Sequence, residues 1–451
     1  MKRQCALRLD LVPGETSLAW QMFDRLTGVN GGIARTIPVS HHGNPDKIIT
    51  SFNDTVINAV NGSNQELALA SLRAWGSSAC KDIFPEEMLR KLSSYDGGDL
   101  LFMVPLQWAD LPFEILYLSG SFLGERFQIG TIITTGISQG PEKQYNHGGD
   151  LMIITDASQR LKSVCREGES LRMIAIKRKR QVRFILKADA RKLIAELPEP
   201  SIVHFAGHSG PDQKYRAAGW RLGEGNYFDT DDIIKTGAST VLPWLVFSNS
   251  CDGGRIMVNS GLSGIAGAFL TAGVHQVVGP YCKLNDMQAR CCTMAFYAAL
   301  FKGKSVAQAL TSLRKNRPDG AGVTPLFYRL FGDPRYVEPK NKRVFQKIAP
   351  LLAALLIVFF LAGAGLKFIL DQVSMTNAAH IDGDGGKKAG FVIDLTLGNF
   401  IHFNVTTYAP TVITLIDREP TVTQNEEPES DSSIIVNDTA GLKNKKKQEG
   451  F

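Results

Sequence analysis

Ser201-Ile202-Val203-His204-Phe205-Ala206-Gly207-His208-Ser209-Gly210 is a short apolar run that ends in a reactive side chain and a turn. Roughly forty residues on, Trp244-Leu245-Val246-Phe247-Ser248-Asn249-Ser250-Cys251-Asp252-Gly253-Gly254 repeats the design with cysteine in place of histidine. Each reads as a buried strand running straight into a glycine-containing turn. If the two strands are neighbours in a parallel sheet, the chain holds a Cys–His dyad, and such a dyad can break peptide bonds.

Working outward, the same alternation of strand and helix continues on both sides. Leu100–Pro105, Leu151–Asp156 and Val182–Leu186 read as apolar strands upstream, and Gln276–Gly279 as one downstream. Ala190–Leu197, Asp231–Ile234, Leu262–Ala272 and Asn285–Phe301 carry helical patterns. This order predicts an α/β fold with a mainly parallel sheet covered on both faces. Residues 1–90 read as a further α/β segment packed on that domain, with an amphipathic helical stretch at Ser51–Val60. Far downstream, Phe391–Leu397 and Thr411–Ile416 read as strands of a small β unit, and the chain from about Glu419 has the composition of a disordered tail.

Composition narrows the classes. At 451 residues and 44% hydrophobic content the chain can bury a large core, and its length suggests two or three domains. A formal charge of +6 is mild over this length, and no nucleic acid is predicted as a partner. The local runs, Lys177-Arg178-Lys179-Arg180 among them, read as solvated surface. Seven cysteines, odd in number and without a C-x-x-C, argue against a disulfide framework and a zinc site, so no metal and no cofactor are expected. The N-terminus lacks the apolar run of a secretory signal.

Ile348–Leu366 runs about 19 residues without a charge, enough to cross a hydrocarbon core of roughly 30 Å. A buried core helix is the alternative. The stretch is apolar on every face and carries Gly363 and Gly365, which favours a membrane span over residues 348–370. Arg335, Lys340, Lys342, Arg343 and Lys347 precede it. The positive-inside bias keeps 1–347 in the cytoplasm, with 339–347 as a basic juxtamembrane linker, and sends 371–451 outward.

The strand ends carry the chemistry. Reacting groups in an open α/β sheet gather beyond the carboxyl ends of its strands, where His208 and Cys251 both lie. A nearby imidazole can take the thiol proton and later return it to a leaving amine. The small residues Ser209 and Gly210 allow close backbone approach, and the amide of Cys251 is a second oxyanion donor. Each residue also has a plainer reading. A cysteine at a strand end is often structural. His204-x-x-x-His208 has the spacing of a metal pair, but Gly207 and the apolar strand argue against the helix such a pair needs, and a core histidine suits His204 better. Asp252 lines a specificity pocket or simply serves the turn, and Asp156, at the end of its strand, stands in the same position. Cys282, Cys291 and Cys292 read as helix packing.

From about Asp99 to Glu338 the chain resembles the CHAT domain, a bacterial branch of the caspase–separase cysteine peptidases. Leu111-Pro112-Phe113-Glu114-Ile115-Leu116, Phe122-Leu123-Gly124-Glu125-Arg126-Phe127, His204-Phe205-Ala206-Gly207-His208, Phe247–Gly254, the helix at Gly261–Gly273 and the closing Leu330-Phe331-Gly332-Asp333-Pro334 resemble its blocks in order. The resemblance implies a caspase-like αβα sandwich over 91–338, His208 as catalytic base and Cys251 as nucleophile. Two positions depart from the pattern. Ser209 stands where the family usually has glycine. Asn249 stands where metacaspases, which select Arg or Lys, have Asp, leaving Asp156 and Asp252 to supply charge to a pocket.

The leading expectation is a single-pass cysteine endopeptidase on the bacterial inner membrane, its catalytic domain cytoplasmic and its substrate a protein. Relatives often act as triggered proteases in defence or cell death, which implies an upstream activator or sensor. The alternative is a catalytically silent caspase-like adaptor at the membrane. A pore-forming span ranks last, because nothing polar lies within Ile348–Leu366.

Overall fold

The histidine strand, Ile202–Ala206, and the cysteine strand, Leu245–Asn249, are buried along their whole lengths. They lie side by side and parallel, with Ile202 opposite Leu245 and Ala206 opposite Asn249. In the computed structural model they are the third and fourth strands of an eleven-stranded sheet. Its order is Val182–Ile185, Leu151–Thr155, Ile202–Ala206, Leu245–Asn249, Gln276–Pro280, Tyr328–Phe331, Phe127–Ile133, Gly97–Val104, Gln4–Pro13, Leu18–Phe23 and Arg35–Pro38. The structure describes residues 4–13, 18–23, 35–38, 44–61, 64–134, 143–156, 162–211, 218–223, 226–256, 264–339, 365, 391–397 and 401–407.

The first five strands in that order are mutually parallel, which fits the uninterrupted apolar runs in the sequence. The direction then reverses between Gln276–Pro280 and Tyr328–Phe331. Beyond that seam Tyr328–Phe331, Phe127–Ile133, Gly97–Val104 and Gln4–Pro13 are again parallel to one another. Residues 4–38 thus do more than lean on the domain: Gln4–Asp10 hydrogen-bonds in register with Gly97–Met103, and two antiparallel strands extend the edge.

Helices cover the parallel half on both faces. Lys162–Lys177, Asp286–Leu300 and Val306–Lys315 bury Leu171, Phe296 and Leu310 against Ile153, Ile202 and Phe247. Ala190–Glu196, Thr230–Thr236 and Ile265–Ala272 bury Leu193, Ile233 and Phe269 against Val203, Phe205 and Val246. This is the layered α/β architecture expected of buried parallel strands. A third cluster unites the helices of residues 45–93 with the other half of the sheet, around Trp20, Phe102 and Phe113. Phe102 and Phe113 stack with ring centres 4.1 Å apart, and the Trp20 indole donates to the Ile83 carbonyl at 2.9 Å.

The chain divides into two compact units, Met1–Leu351 and Leu352–Phe451. In the second, Phe391–Leu397 pairs antiparallel with Ile401–Thr407. The partner strand expected at Thr411–Ile416 lies outside the described residues. Among the described residues no helix is long and apolar enough to cross a membrane, and the span expected at 348–370 lies outside them but for residue 365.

Two backbones meet closely where the cysteine loop crosses the end of the Gln276–Pro280 strand. A Cβ on Gly254 would lie 2.3 Å from the Gly279 carbonyl oxygen, and one on Gly279 would lie 2.5 Å from the Gly253 carbonyl carbon. Neither contact can be relieved by turning a side chain. Gly279→Ala should therefore destabilise the domain by about 1–3 kcal/mol in urea unfolding and lower the yield of folded protein. An unchanged midpoint would show that the loop yields easily.

Candidate active site

Ala206 and Asn249 are register partners, and His208 and Cys251 each lie two residues beyond them. Side chains alternate faces along a strand. His204 and Phe247 pack against Tyr297 of the helix Asp286–Leu300, so four residues further on His208 and Cys251 are carried to the same side. They line one cleft of about 90 Å³ together with Val164, Glu167, Asp286 and Ala289 from the covering helices. No hydrogen bond joins His208 to Cys251 in this state; the two side chains share a cleft.

The cysteine loop is fixed on several sides. Gly253 N–H donates to the Ser250 carbonyl at 3.0 Å, closing a tight turn, and Asp252 sits in it at φ 57°, the left-handed region that Asp tolerates better than most residues. Asp252 N–H reaches the Cys282 carbonyl at 3.3 Å, and Gly254 N–H the Pro280 carbonyl at 2.9 Å. The Ser209 hydroxyl donates to the Cys251 carbonyl, tying the loop to the residue after the histidine. On the opposite face, Trp220 donates to Ser248 Oγ at 2.8 Å while stacking on Phe205 at 4.6 Å.

The loop after His208 forms a short strand, Ser209–Pro211, antiparallel to Ala218–Gly223. Arg221 N–H donates to the His208 carbonyl at 2.9 Å, which fixes the backbone under the imidazole. Gly210 has φ 138°, a conformation that favours glycine, and a Cβ there would meet nothing. Its glycine therefore serves backbone geometry rather than space.

Burial pushes the Cys251 thiol above its ordinary value. The Leu284 N–H and Lys283 pull it down, and Asp252 and Asp286 push it further up. The Asp286 carboxyl is likewise raised by burial and by Glu167, while His208 opposes that rise. Asp286 opens the helix Asp286–Leu300, where Asn285 Oδ1 accepts from the N–H groups of Met287 and Gln288. This cap fixes a carboxylate in the cleft beside the imidazole.

Beneath the cleft lies a buried polar network that the residue patterns did not reveal. Glu167 Oε1 accepts from Asn249 Nδ2 at 2.7 Å and from Thr293 Oγ1 at 2.8 Å, and lies 3.0 Å from His204 Nε2. The Tyr328 hydroxyl donates to Asn249 Oδ1 at 2.6 Å. Tyr297 Oη lies 3.4 Å from His204 Nδ1, consistent with the tautomer that carries its proton on Nε2. His204 is thus a core histidine. Asn249 lines the cleft floor, but its amide is occupied by the network. Asp156 is fully buried, with its Cβ close behind Gly207. Neither Asp156 nor Asp252 lines the cleft with His208 and Cys251; the carboxylates there are Glu167 and Asp286. The signal for Glu167 was faint, because between Arg166 and Glu169 it looks like one more surface charge. Among the described residues no group of three or more His, Cys, Asp or Glu is arranged to hold a metal ion.

A family model described as the CHAT domain matches residues 80–321. No curated protein sequence matches the chain. Among solved structures, the Saccharomyces cerevisiae separase–securin complex at 3.0 Å resolution is similar with a TM-score of 0.48 and 10% identity, covering 73% of this chain and 30% of that one. A second structure of that complex, at 2.6 Å, gives 0.37 and 13%, covering 64% and 22%. A structure of a protease gives 0.37 and 10%, covering 66% and 76%. The chain thus spans about a third or less of the length of the separase chains it resembles.

Two outcomes follow from these arrangements. Glu167→Ala removes one acceptor from three donors at once and should cost about 3 kcal/mol or more in urea unfolding, with Glu167→Gln milder because it keeps an oxygen. In the resting protein, alkylation of Cys251 by iodoacetamide, followed by peptide mass spectrometry, should keep climbing through and above the ordinary thiol range as pH rises. A plateau already reached at neutral pH would mean a thiolate–imidazolium pair is preformed.

Proposed function

The chain belongs to the CHAT-domain family, and from that premise we propose that it is a cysteine endopeptidase acting through His208 and Cys251. One observation carries this reading: the in-register pairing of Ala206 with Asn249 brings both side chains to a single cleft at the carboxyl end of the sheet.

In the proposed reaction, His208 takes the proton from Cys251 Sγ as sulfur attacks the scissile carbonyl carbon. The negative charge that develops on the carbonyl oxygen is met by the Cys251 N–H and by backbone N–H groups at Ser209 and Gly210. The imidazolium gives its proton to the leaving nitrogen, the C–N bond breaks, and a thioester remains on Cys251. His208 then deprotonates a water that attacks the thioester carbon. The C–S bond breaks, the carboxylic acid product leaves, and sulfur is reprotonated by the imidazolium.

The cleft of about 90 Å³ is well below the roughly 300 Å³ of an ordinary small-ligand site, so a bound polypeptide must widen it. Together with the raised thiol, this supports a resting enzyme that an upstream partner activates. We place it on the inner membrane of a bacterium through residues 348–370, with the catalytic domain in the cytoplasm, cutting one partner protein in a defence or cell-death response. The raised Cys251 thiol also favours keeping a second reading, a catalytically silent adaptor.

A peptidyl electrophile should label Cys251 in the wild-type protein. Cys251→Ala should abolish labelling, and His208→Ala should slow it by about 100-fold or more. Equal labelling in all three proteins would remove the dyad. In cells, new substrate N-termini should arise with the wild type and vanish with Cys251→Ala. Full biological function retained by Cys251→Ala would decide for the adaptor.

A further inference from the structure

A second cavity, of about 910 Å³, opens at the other end of the same parallel strands. Residues 146–150 lead into the strand Leu151–Thr155, Arg178–Gln181 into Val182–Ile185, and Glu199 precedes Ile202–Ala206. Because these strands are parallel, their entrances share one edge and the His208–Cys251 cleft lies beyond the other. Five residues of strand separate the two edges by about 16 Å.

The cavity is cationic. Arg178, Lys179, Arg180, Arg183, Lys302 and Lys304 line it against three carboxylates, Asp150, Glu199 and Glu338. Those carboxylates are already engaged. Arg183 Nε pairs with Asp150 at 2.7 Å and its Nη1 with Glu199 at 2.6 Å, while Arg180 pairs with Glu338. Arg178, Lys179, Lys302 and Lys304 have no carboxylate partner among the described residues, and all four are exposed. The run Lys177–Arg180 is therefore divided: Arg180 is held inside, and Arg178 and Lys179 project at the rim.

The chain departs from this same face. Glu338 is clamped by Arg180, also accepts from Gly148 N–H at 2.8 Å, and with Pro339 forms part of the cavity wall. The next residues in sequence include Lys340, Lys342, Arg343 and Lys347, and the charge-free stretch begins at Ile348. Nine residues of linker reach at most about 30 Å, so the rim cannot lie further than that from the start of the apolar stretch. At physiological ionic strength exposed charges act over about 8 Å, so surplus cations matter only for a polyanion held close by. A bilayer entered at Ile348 presents one.

We propose that this face, with Arg178, Lys179, Lys302 and Lys304 at its rim, docks on the anionic phospholipid headgroups of the membrane. The docked domain presents the His208–Cys251 cleft away from the lipid. The inference rests on residues 348–366 being membrane-embedded, as in the function proposed above.

The test uses the full-length chain with vesicles of phosphatidylcholine alone or with ~30 mol% phosphatidylglycerol. Hydrogen–deuterium exchange of segments 177–181 and 301–304 reads docking, and resistance to alkaline carbonate extraction reads insertion separately. Both segments should slow their exchange by about tenfold on the anionic vesicles only, and about 0.5 M salt should abolish the protection. The variant Arg178→Gln/Lys179→Gln/Lys302→Gln/Lys304→Gln should lose protection while resisting extraction as the wild type does. Equal exchange on both vesicle types, with or without insertion, overturns the docking face. Protection on anionic vesicles by a chain that carbonate extracts keeps the docking face and removes only the span. Equal protection by inorganic phosphate without vesicles assigns the face to a soluble anion and overturns the membrane.

Discussion

One buried carboxyl holds this site together. Glu167 gathers Asn249 from the cysteine strand, His204 from the histidine strand and Thr293 from the covering helix onto a single oxygen. A buried charge is tolerated only when its partners surround it, and removing any one leaves the rest exposed to the full desolvation cost. The network also discriminates between registers. Slipping either strand by one residue would turn its polar side chain toward the Trp220 layer, away from Glu167, and would swing His208 or Cys251 out of the cleft. Hydrophobic burial alone would tolerate such a slip poorly but less specifically, because both faces of these strands are apolar. In this site the polar network sets register, and register sets the pairing of the two reactive side chains.

Much of this was legible in the sequence for one physical reason. Parallel strands buried on both faces must be apolar throughout, so Ile202–Ala206, Leu245–Asn249, Leu151–Thr155 and Gln276–Pro280 all stand out, and the residues that follow them are at the reactive end. The helix that Asn285 caps beside the site was equally visible. What stayed hidden depends on contacts between distant segments. Glu167 lies in an amphipathic helix among other charges, and nothing local separates the one that points inward. Asp286 is an unremarked first-turn acid until folding brings it to His208. The continuation of the sheet into Gln4–Pro13 depends on pairing across about ninety residues, which no local pattern reports.

Burial pushes the Cys251 thiol above its ordinary range, and two nearby carboxyls, of Asp252 and Asp286, push it further. Against them stand the Leu284 N–H and Lys283, both on the segment that follows the Gln276–Pro280 strand. A small movement of that segment toward sulfur, or of Asp286 away from it, changes the balance in favour of thiolate. The segment is packed beside the loop, where Asp252 N–H reaches the Cys282 carbonyl, so a movement that widens the cleft also shifts the groups around the thiol. The polar side chain of Asn249, where a basic-specific relative would place an acid, is already spent on Glu167, Thr293 and Tyr328. Of the two carboxyls that line the cleft, Asp286 is the one outside that network.

Parallel strands give the domain two chemically distinct ends. The carboxyl ends gather the reactive side chains, and the helices that return over the sheet run the opposite way. Lys162–Lys177 and Asp286–Leu300 therefore end at the cationic edge, where their carbonyl ends carry partial negative charge. That dipole accounts for some of the basic residues there, since a cation in or just beyond the last turn, such as Lys177 or Lys302, complements it. It does not account for all of them. The field of a helix end falls off within a turn, whereas Lys304 lies beyond that reach, and the cavity's carboxylates are already paired. Charge in excess of what the fold consumes is charge available to something outside it, and the chain itself leaves from that edge at Glu338.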